Sequence, residues 1–203
     1  MINHQENFQK NGFIIHPKML DGELLDFVGI HAYNIARLAG PNPTDSQVPN
    51  TPAFYDDFVM ANLQDYLLPR IEKATGLELY PTYTYFRVYK KGDELLKHKD
   101  RQSCEISMTV CLRYNLDEEI WPIFIENHEY KRIRELGKGN TAKARLQMGD
   151  AIVYHGCECE HWREPYTEGT KLAQVFIHYV DKNGPFADYK NDKHPGKYFA
   201  QYK

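Results

Sequence analysis

The chain has 203 residues, a formal net charge of −3, 26% charged and 42% hydrophobic residues. That length suits one domain with a sizeable core, and the near balance of acidic and basic side chains gives no broad electrostatic footprint for nucleic acid or anionic lipid. The longest apolar runs, such as 151–154 and 172–177, fall far short of the roughly 20 residues a membrane helix needs, so neither nucleic acid nor a membrane is an expected partner.

The first ten residues are polar, with no basic segment ahead of an apolar run. No secretory signal is therefore expected, and a cytoplasmic location is the default. Asp21 is a predicted N-cap for a helix over 22–38, in which Leu24, Leu25, Val28, Ala32 and Ile35 recur at helical spacing. Gly40 and Pro41 end it. A polar, Pro-containing loop over 41–52 follows, and a second helix is predicted from 54 to about 74, stopped by Gly76.

From Leu77 the period changes. Tyr80, Tyr83, Tyr85 and Tyr89 are interleaved with Thr82, Thr84 and Val88, residues that favour strands. Over 104–114, Ile106, Met108, Val110 and Leu112 alternate with Glu105, Ser107, Thr109 and Cys111, which predicts one greasy and one polar face. Further strands are expected at 121–126, 142–147, 151–155 and 171–179. Many strands after two helices, without α/β alternation, predict a mainly β fold: a double-stranded β-helix, or jelly roll, buttressed by N-terminal α-helices. The chain is read as one domain over 1–203, with a helical buttress at 1–76, a jelly-roll core at 77–181 and a tail at 182–203.

Of the four cysteines, Cys157 and Cys159 stand two apart, but no second pair at zinc-finger spacing accompanies them. Free thiols in a reducing compartment are the expectation for all four. His98-Lys99-Asp100 is more informative, since residues i and i+2 of an extended segment project to the same side. That is the geometry of a chelate, and iron(II) in oxygenases is held by two imidazoles and one carboxylate with positions left open. Among nine histidines, His161 is the preferred third ligand and His155, six residues earlier, its competitor. Ten residues beyond His161, Lys171 opens the last apolar strand. A cation pointing into a barrel there would need an anion, and the C5 carboxylate of 2-oxoglutarate would be one.

Together, His98-x-Asp100, His161-Trp162-Arg163-Glu164-Pro165 and Lys171 resemble the iron and 2-oxoglutarate signature of the prolyl 4-hydroxylase-like oxygenases. In that family a basic residue follows the distal histidine by nine or ten positions. The resemblance spans roughly 83–181 and takes in the Tyr89-Lys90-Lys91-Gly92 turn. It implies an Fe(II)- and 2-oxoglutarate-dependent dioxygenase with His98, Asp100 and His161 as ligands and Lys171 on the cosubstrate. Such an enzyme uses O2 to hydroxylate an unactivated C–H bond, releases succinate and CO2, and is sometimes supported by ascorbate. The implied substrate is a peptidyl proline, another amino-acid residue or a small amino-acid-like metabolite. Tyr89 matches a tyrosine that hydrogen-bonds the cosubstrate in that family, or is simple core. Thr109 and Ser107 either bond the cosubstrate or only leave it room. Tyr85 and Arg87, on the face of Tyr89, line the mouth or form an ordinary ion pair, while Arg101 meets substrate, orients Asp100 or is solvated. Two rivals are a cupin-type metal enzyme without 2-oxoglutarate and a non-catalytic jelly-roll binding module.

Overall fold

The computed structural model describes residues 3–43, 45–115, 119–127 and 140–193. Three α-helices lie in the first part of the chain: α1 His4–Asn11, α2 Gly22–Ala39 and α3 Phe58–Thr75. Between them run two short strands, β1 Phe13–His16 and β2 Ala53–Tyr55. The jelly roll follows as β3 Leu79–Lys90, β4 Leu95–His98, β5 Ile106–Tyr114, β6 Ile123–Asn127, β7 Asn140–Ala144, β8 Ala151–His155, β9 Glu160–Arg163 and β10 Lys171–Asp181. No described helix is long and apolar enough to cross a membrane.

The larger sheet has the order β1-β8-β5-β10-β3-β2 and the smaller β4-β9-β6-β7. Apart from the β6–β7 hairpin, every connection from β3 to β10 carries the chain from one sheet to the other, so the two sheets close face to face as a double-stranded β-helix. β10 is the organising strand, pairing antiparallel with both β3 and β5. Its Ala173, Val175, Ile177 and Tyr179 join the core under the helices. Leu172 and Phe176 join the core between the sheets. This alternation follows from the period-two projection of a strand, and both faces are largely buried because both are covered.

The helices are recruited to the first core by their own spacing. Val28, Ala32 and Ala36 of α2 and Met60, Leu63, Leu67 and Ile71 of α3 pack onto the sheet around Phe86, Val110 and Val175. The Asp57 side chain accepts bonds from the Val59 and Met60 amides, and Gly76, in a left-handed conformation, ends α3. The predicted start of α3 at Phe54 falls too early, because Phe54 pairs with Phe86 in β2 and stacks on its ring at 4.6 Å. Asp21 occupies the N-cap position of α2 without a side-chain cap bond. β5 keeps the expected greasy and polar faces: Ile106, Met108, Val110 and Leu112 join the core under the helices, while Ser107, Thr109 and Cys111, equally buried, face the barrel interior. The tail reaches a distorted 3-10 segment, Ala187–Lys193; residues 194–203, and the basic residues Lys131, Arg132, Arg134 and Lys138, lie outside the described residues.

Candidate metal centre

The small sheet builds the centre. β4 ends on His98, and its pairing with β9 sets His98 opposite His161, bringing the two imidazole centroids to 4.3 Å. Asp100 follows two residues later, anchored by its backbone N–H donating to the Gly156 carbonyl at 2.9 Å. Its Oδ1 lies 3.8 Å from His98 Nε2 and 3.6 Å from His161 Nε2. One ligand atom from each of the three falls within 4.8 Å of the others. Metal bonds of about 2.1 Å draw neighbouring ligands to about 3 Å, so only a small contraction separates this arrangement from a coordination shell.

The proton positions suit a metal. His98 Nδ1 lies 2.7 Å from the Leu96 carbonyl and His161 Nδ1 3.2 Å from the Cys159 carbonyl. A carbonyl only accepts, so each Nδ1 carries the hydrogen and each Nε2 turns a lone pair toward Asp100. Burial lowers the His161 pKa, which favours the neutral, ligating form. Ser107 donates to Asp100 Oδ2 at 2.8 Å, leaving Oδ1 for the imidazole side, and His178 Nδ1 stands 3.0 Å from the same hydroxyl. Gln47 donates to His98 Nε2 at 3.1 Å, the lone pair a metal would take.

Asp100, Cys104 and His178 form a second cluster of possible ligands. It is the poorer one. Burial pushes the Cys104 thiol up, away from thiolate, and His178 Nδ1 is committed to Ser107. Burial also pushes His178 down to about 4, so its ring is neutral at pH 7. Its role is to hold Ser107, and through it Asp100.

His98, Asp100 and His161 open onto a cavity of about 570 Å3, walled in part by Asp45, Gln47, Tyr55, Tyr83, Tyr85 and Arg87. Tyr85 donates to Asp45 Oδ2 at 2.7 Å. Arg87 is a wall rather than a residue of the mouth: it is 1% exposed and donates to the same oxygen at 2.6 Å. Burial alone would raise the Asp45 carboxyl, but Arg87 beside it overrides that and holds it below the usual range. Arg101 lines the cavity but is spoken for, bonded twice to Asp192 at 2.7 Å and lying over the Tyr83 ring at 4.6 Å.

Tyr89 and Thr109 are fully buried. Tyr89 accepts a bond from Arg87 at 3.3 Å and meets Trp121 edge-on, and Thr109 lies 3.5 Å from the Tyr154 hydroxyl. His155, the rival ligand, stacks on Phe8 of α1 at 4.6 Å and belongs to neither cluster. Lys171 is the clear correction. It is exposed at the first position of β10, on the side of Ala173 and Val175, and is not among the cavity residues. The period of two turns its side chain away from the barrel.

Arg163 went unnoticed as a separate residue. It stands two positions after His161 in β9, is 2% exposed, and donates to the Trp121 carbonyl at 2.7 Å and to Gln174 Oε1 at 2.8 Å. Burial lowers its pKa. The signal lay in the alternation: had β9 been read as a strand, Arg163 would have shared the face of His161.

No protein-family model matches the chain, and no curated protein matches it. Solved structures do. The crystal structure of the non-haem alpha-ketoglutarate-dependent epimerase SnoN from nogalamycin biosynthesis superposes with a TM-score of 0.71 at 13% identity, over 95% of this chain and 88% of SnoN. A Pseudomonas putida prolyl-4-hydroxylase gives 0.64 at 14% identity, over 87% of this chain and 96% of that one. EctD from S. alaskensis with bound Fe gives 0.65 at 18% identity, over 92% and 80%. At these identities the likeness establishes a shared fold.

Proposed function

We propose that this chain is an Fe(II)- and 2-oxoglutarate-dependent dioxygenase that hydroxylates an unactivated C–H bond. One observation carries the reading: two imidazole Nε2 atoms, each freed by an Nδ1–H bonded to a backbone carbonyl, converge with one carboxylate oxygen at the mouth of a closed jelly roll. Proteins that share the fold include an alpha-ketoglutarate-dependent epimerase and EctD, crystallised with bound Fe. Two histidines and a carboxylate suit iron(II) with positions to spare, and a site without thiolate disfavours structural zinc.

His98, Asp100 and His161 hold the metal in this reading. Ser107 and His178 fix the Asp100 carboxylate, so that the second oxygen does not rotate into the ligand position. Tyr89 and Thr109 are proposed neighbours of the cosubstrate. Bound iron with 2-oxoglutarate and O2 supplies the oxidising power, with succinate and CO2 as co-products, and ascorbate a supporting reductant. Tyr55, Tyr83, Tyr85 and Arg101 surround the approach to the ligands and give it both aromatic faces and hydrogen-bonding ends. Such walls suit a prolyl or other amino-acid residue of a peptide, or a free amino-acid-like metabolite. The free thiols of Cys104, Cys111, Cys157 and Cys159 accord with work in the cytoplasm.

The test is turnover of 2-oxoglutarate to succinate by the Fe(II)-loaded protein offered short prolyl peptides and free amino acids. Substrate-stimulated succinate formation, lost in His98→Ala and Asp100→Ala, is the expected result. Metal binding without any use of 2-oxoglutarate would favour a cupin-type enzyme, and no metal affinity would favour a binding module.

A further inference from the structure

Held at the metal by its 2-oxoacid end, 2-oxoglutarate would present a second carboxylate to the barrel and call for a cation there, and Lys171, exposed and outside the cavity lining, would not meet it. We propose that Arg163, assisted by Gln174, is the seat for that distal carboxylate; this rests on the 2-oxoglutarate reading above. Arg163 follows His161 by two positions on the inward face of β9. At about 3.3 Å per residue its Cα lies about 6–7 Å further along the barrel than that of the metal ligand, a spacing suited to a five-carbon dicarboxylate.

The guanidinium is buried over the Trp121 ring, 4.7 Å from its centre, and among the described residues it has no counter-ion, whereas Arg87, equally buried, is paired with Asp45. Arg163 Nε and Gln174 Nε2 are both buried donors without a partner, although the two side chains already touch through Arg163 Nη2 and Gln174 Oε1. Unanswered donors at the end of a buried cation are costly, and together they present hydrogens alone, which suits an anion. The seat lies beside the cavity wall: the guanidinium carbon of Arg163 is 5.9 Å from the centre of the Tyr89 ring, and that of Arg87, a wall residue, 5.4 Å from the same ring. Gln174 and Arg87 are paired positions of β10 and β3.

The test compares 2-oxoglutarate with 2-oxopentanoate, which keeps the chelating end and the five carbons but lacks the distal carboxylate. Both are titrated by calorimetry into the anaerobic Fe(II)-loaded protein. Wild type should prefer 2-oxoglutarate by roughly 100-fold, the scale of a buried, hydrogen-bonded charge pair. Arg163→Met should bring the two acids to near equality, Gln174→Leu should narrow the preference by roughly tenfold, and Lys171→Ala should leave it intact. A preference kept by Arg163→Met, or lost in Lys171→Ala, overturns the assignment. Should Arg163→Met not fold, Gln174→Leu decides, and an unchanged preference there overturns it. Equal binding of both acids by wild type removes the seat but leaves the oxygenase reading standing; Fe(II) binding with no affinity for either acid removes both.

Discussion

Gly156→Ala is the most instructive single perturbation, because Gly156 touches the centre without being a ligand. It occupies the turn between β8 and β9, donating its N–H to the Glu105 carbonyl at 2.9 Å and accepting from the Asp100 amide at 2.9 Å. A Cβ there would overlap the Cys104 carbonyl oxygen and lie 2.6 Å from Ser107 Oγ and 2.7 Å from Asp100 Oδ2. The Cys104 carbonyl is backbone and cannot rotate aside, so relief comes from shifting the turn or pushing Ser107 and Asp100 out of place. Overpacking of this kind costs roughly 1–3 kcal/mol, which in a chain of this size lowers Tm by about 2–12 °C. Displacing an oriented carboxylate ligand should weaken metal affinity by roughly 10- to 100-fold. Thermal melting of the metal-free protein and anaerobic Fe(II) calorimetry read the two effects separately. A variant with wild-type affinity and wild-type Tm would refute the packing of Asp100 against this turn.

Ser107→Ala removes the hydroxyl shared by Asp100 and His178; Fe(II) affinity should fall roughly tenfold by calorimetry with the fold retained, and an unchanged affinity would mean Asp100 orients itself. Asp45→Ala leaves the buried Arg87 guanidinium without its counter-ion, and the urea midpoint should drop by the equivalent of about 3 kcal/mol; a loss below about 0.5 kcal/mol would mean that water already serves Arg87. The pH dependence of stability follows from His178, pushed by burial from 6.5 down to about 4. The folded protein then binds this proton more weakly than the unfolded chain, so stability is full above pH 6.5 and falls as the pH drops toward 4, by up to about 3 kcal/mol. Urea unfolding of the metal-free protein at pH 7 and pH 4.5 should show that slope in wild type and a shallower one in His178→Gln. Equal slopes would remove His178 as its origin.

Much of the jelly roll could be read from the chain because its strands advertise themselves by β-branched and aromatic residues, and 151–155 coincides with β8. The α2 boundary came within one residue because apolar spacing and Gly40 agree there. β1 and β2, of four and three residues, are too short to show a period. That His98 and Asp100 come side by side was legible because a spacing of two residues is local, whereas His161 joins them through the distant pairing of β4 with β9. Lys171 was misjudged for a physical reason. Both faces of β10 are largely buried, so the first residue of the strand carries no mark of which way it turns, and one residue of register exchanges the two faces. Arg163 escaped notice because β9 is only four residues long and its inward side, His161 and Arg163, has no apolar residue to mark it as a strand face. The pairing of Arg87 with Asp45 joins a strand to a loop 42 residues away, a contact that no spacing rule encodes.

His98, Asp100 and His161 are proposed to hold an iron to which 2-oxoglutarate chelates. The most direct test of that proposal is anaerobic titration of the purified protein with Fe(II) and then 2-oxoglutarate, followed in the visible region for the weak metal-to-ligand charge-transfer band of a bidentate 2-oxoacid. The account predicts a saturable band in wild type that is absent in His161→Ala under the same conditions. A wild-type protein that binds Fe(II) and develops no band, or a His161→Ala variant that keeps it, would contradict the account.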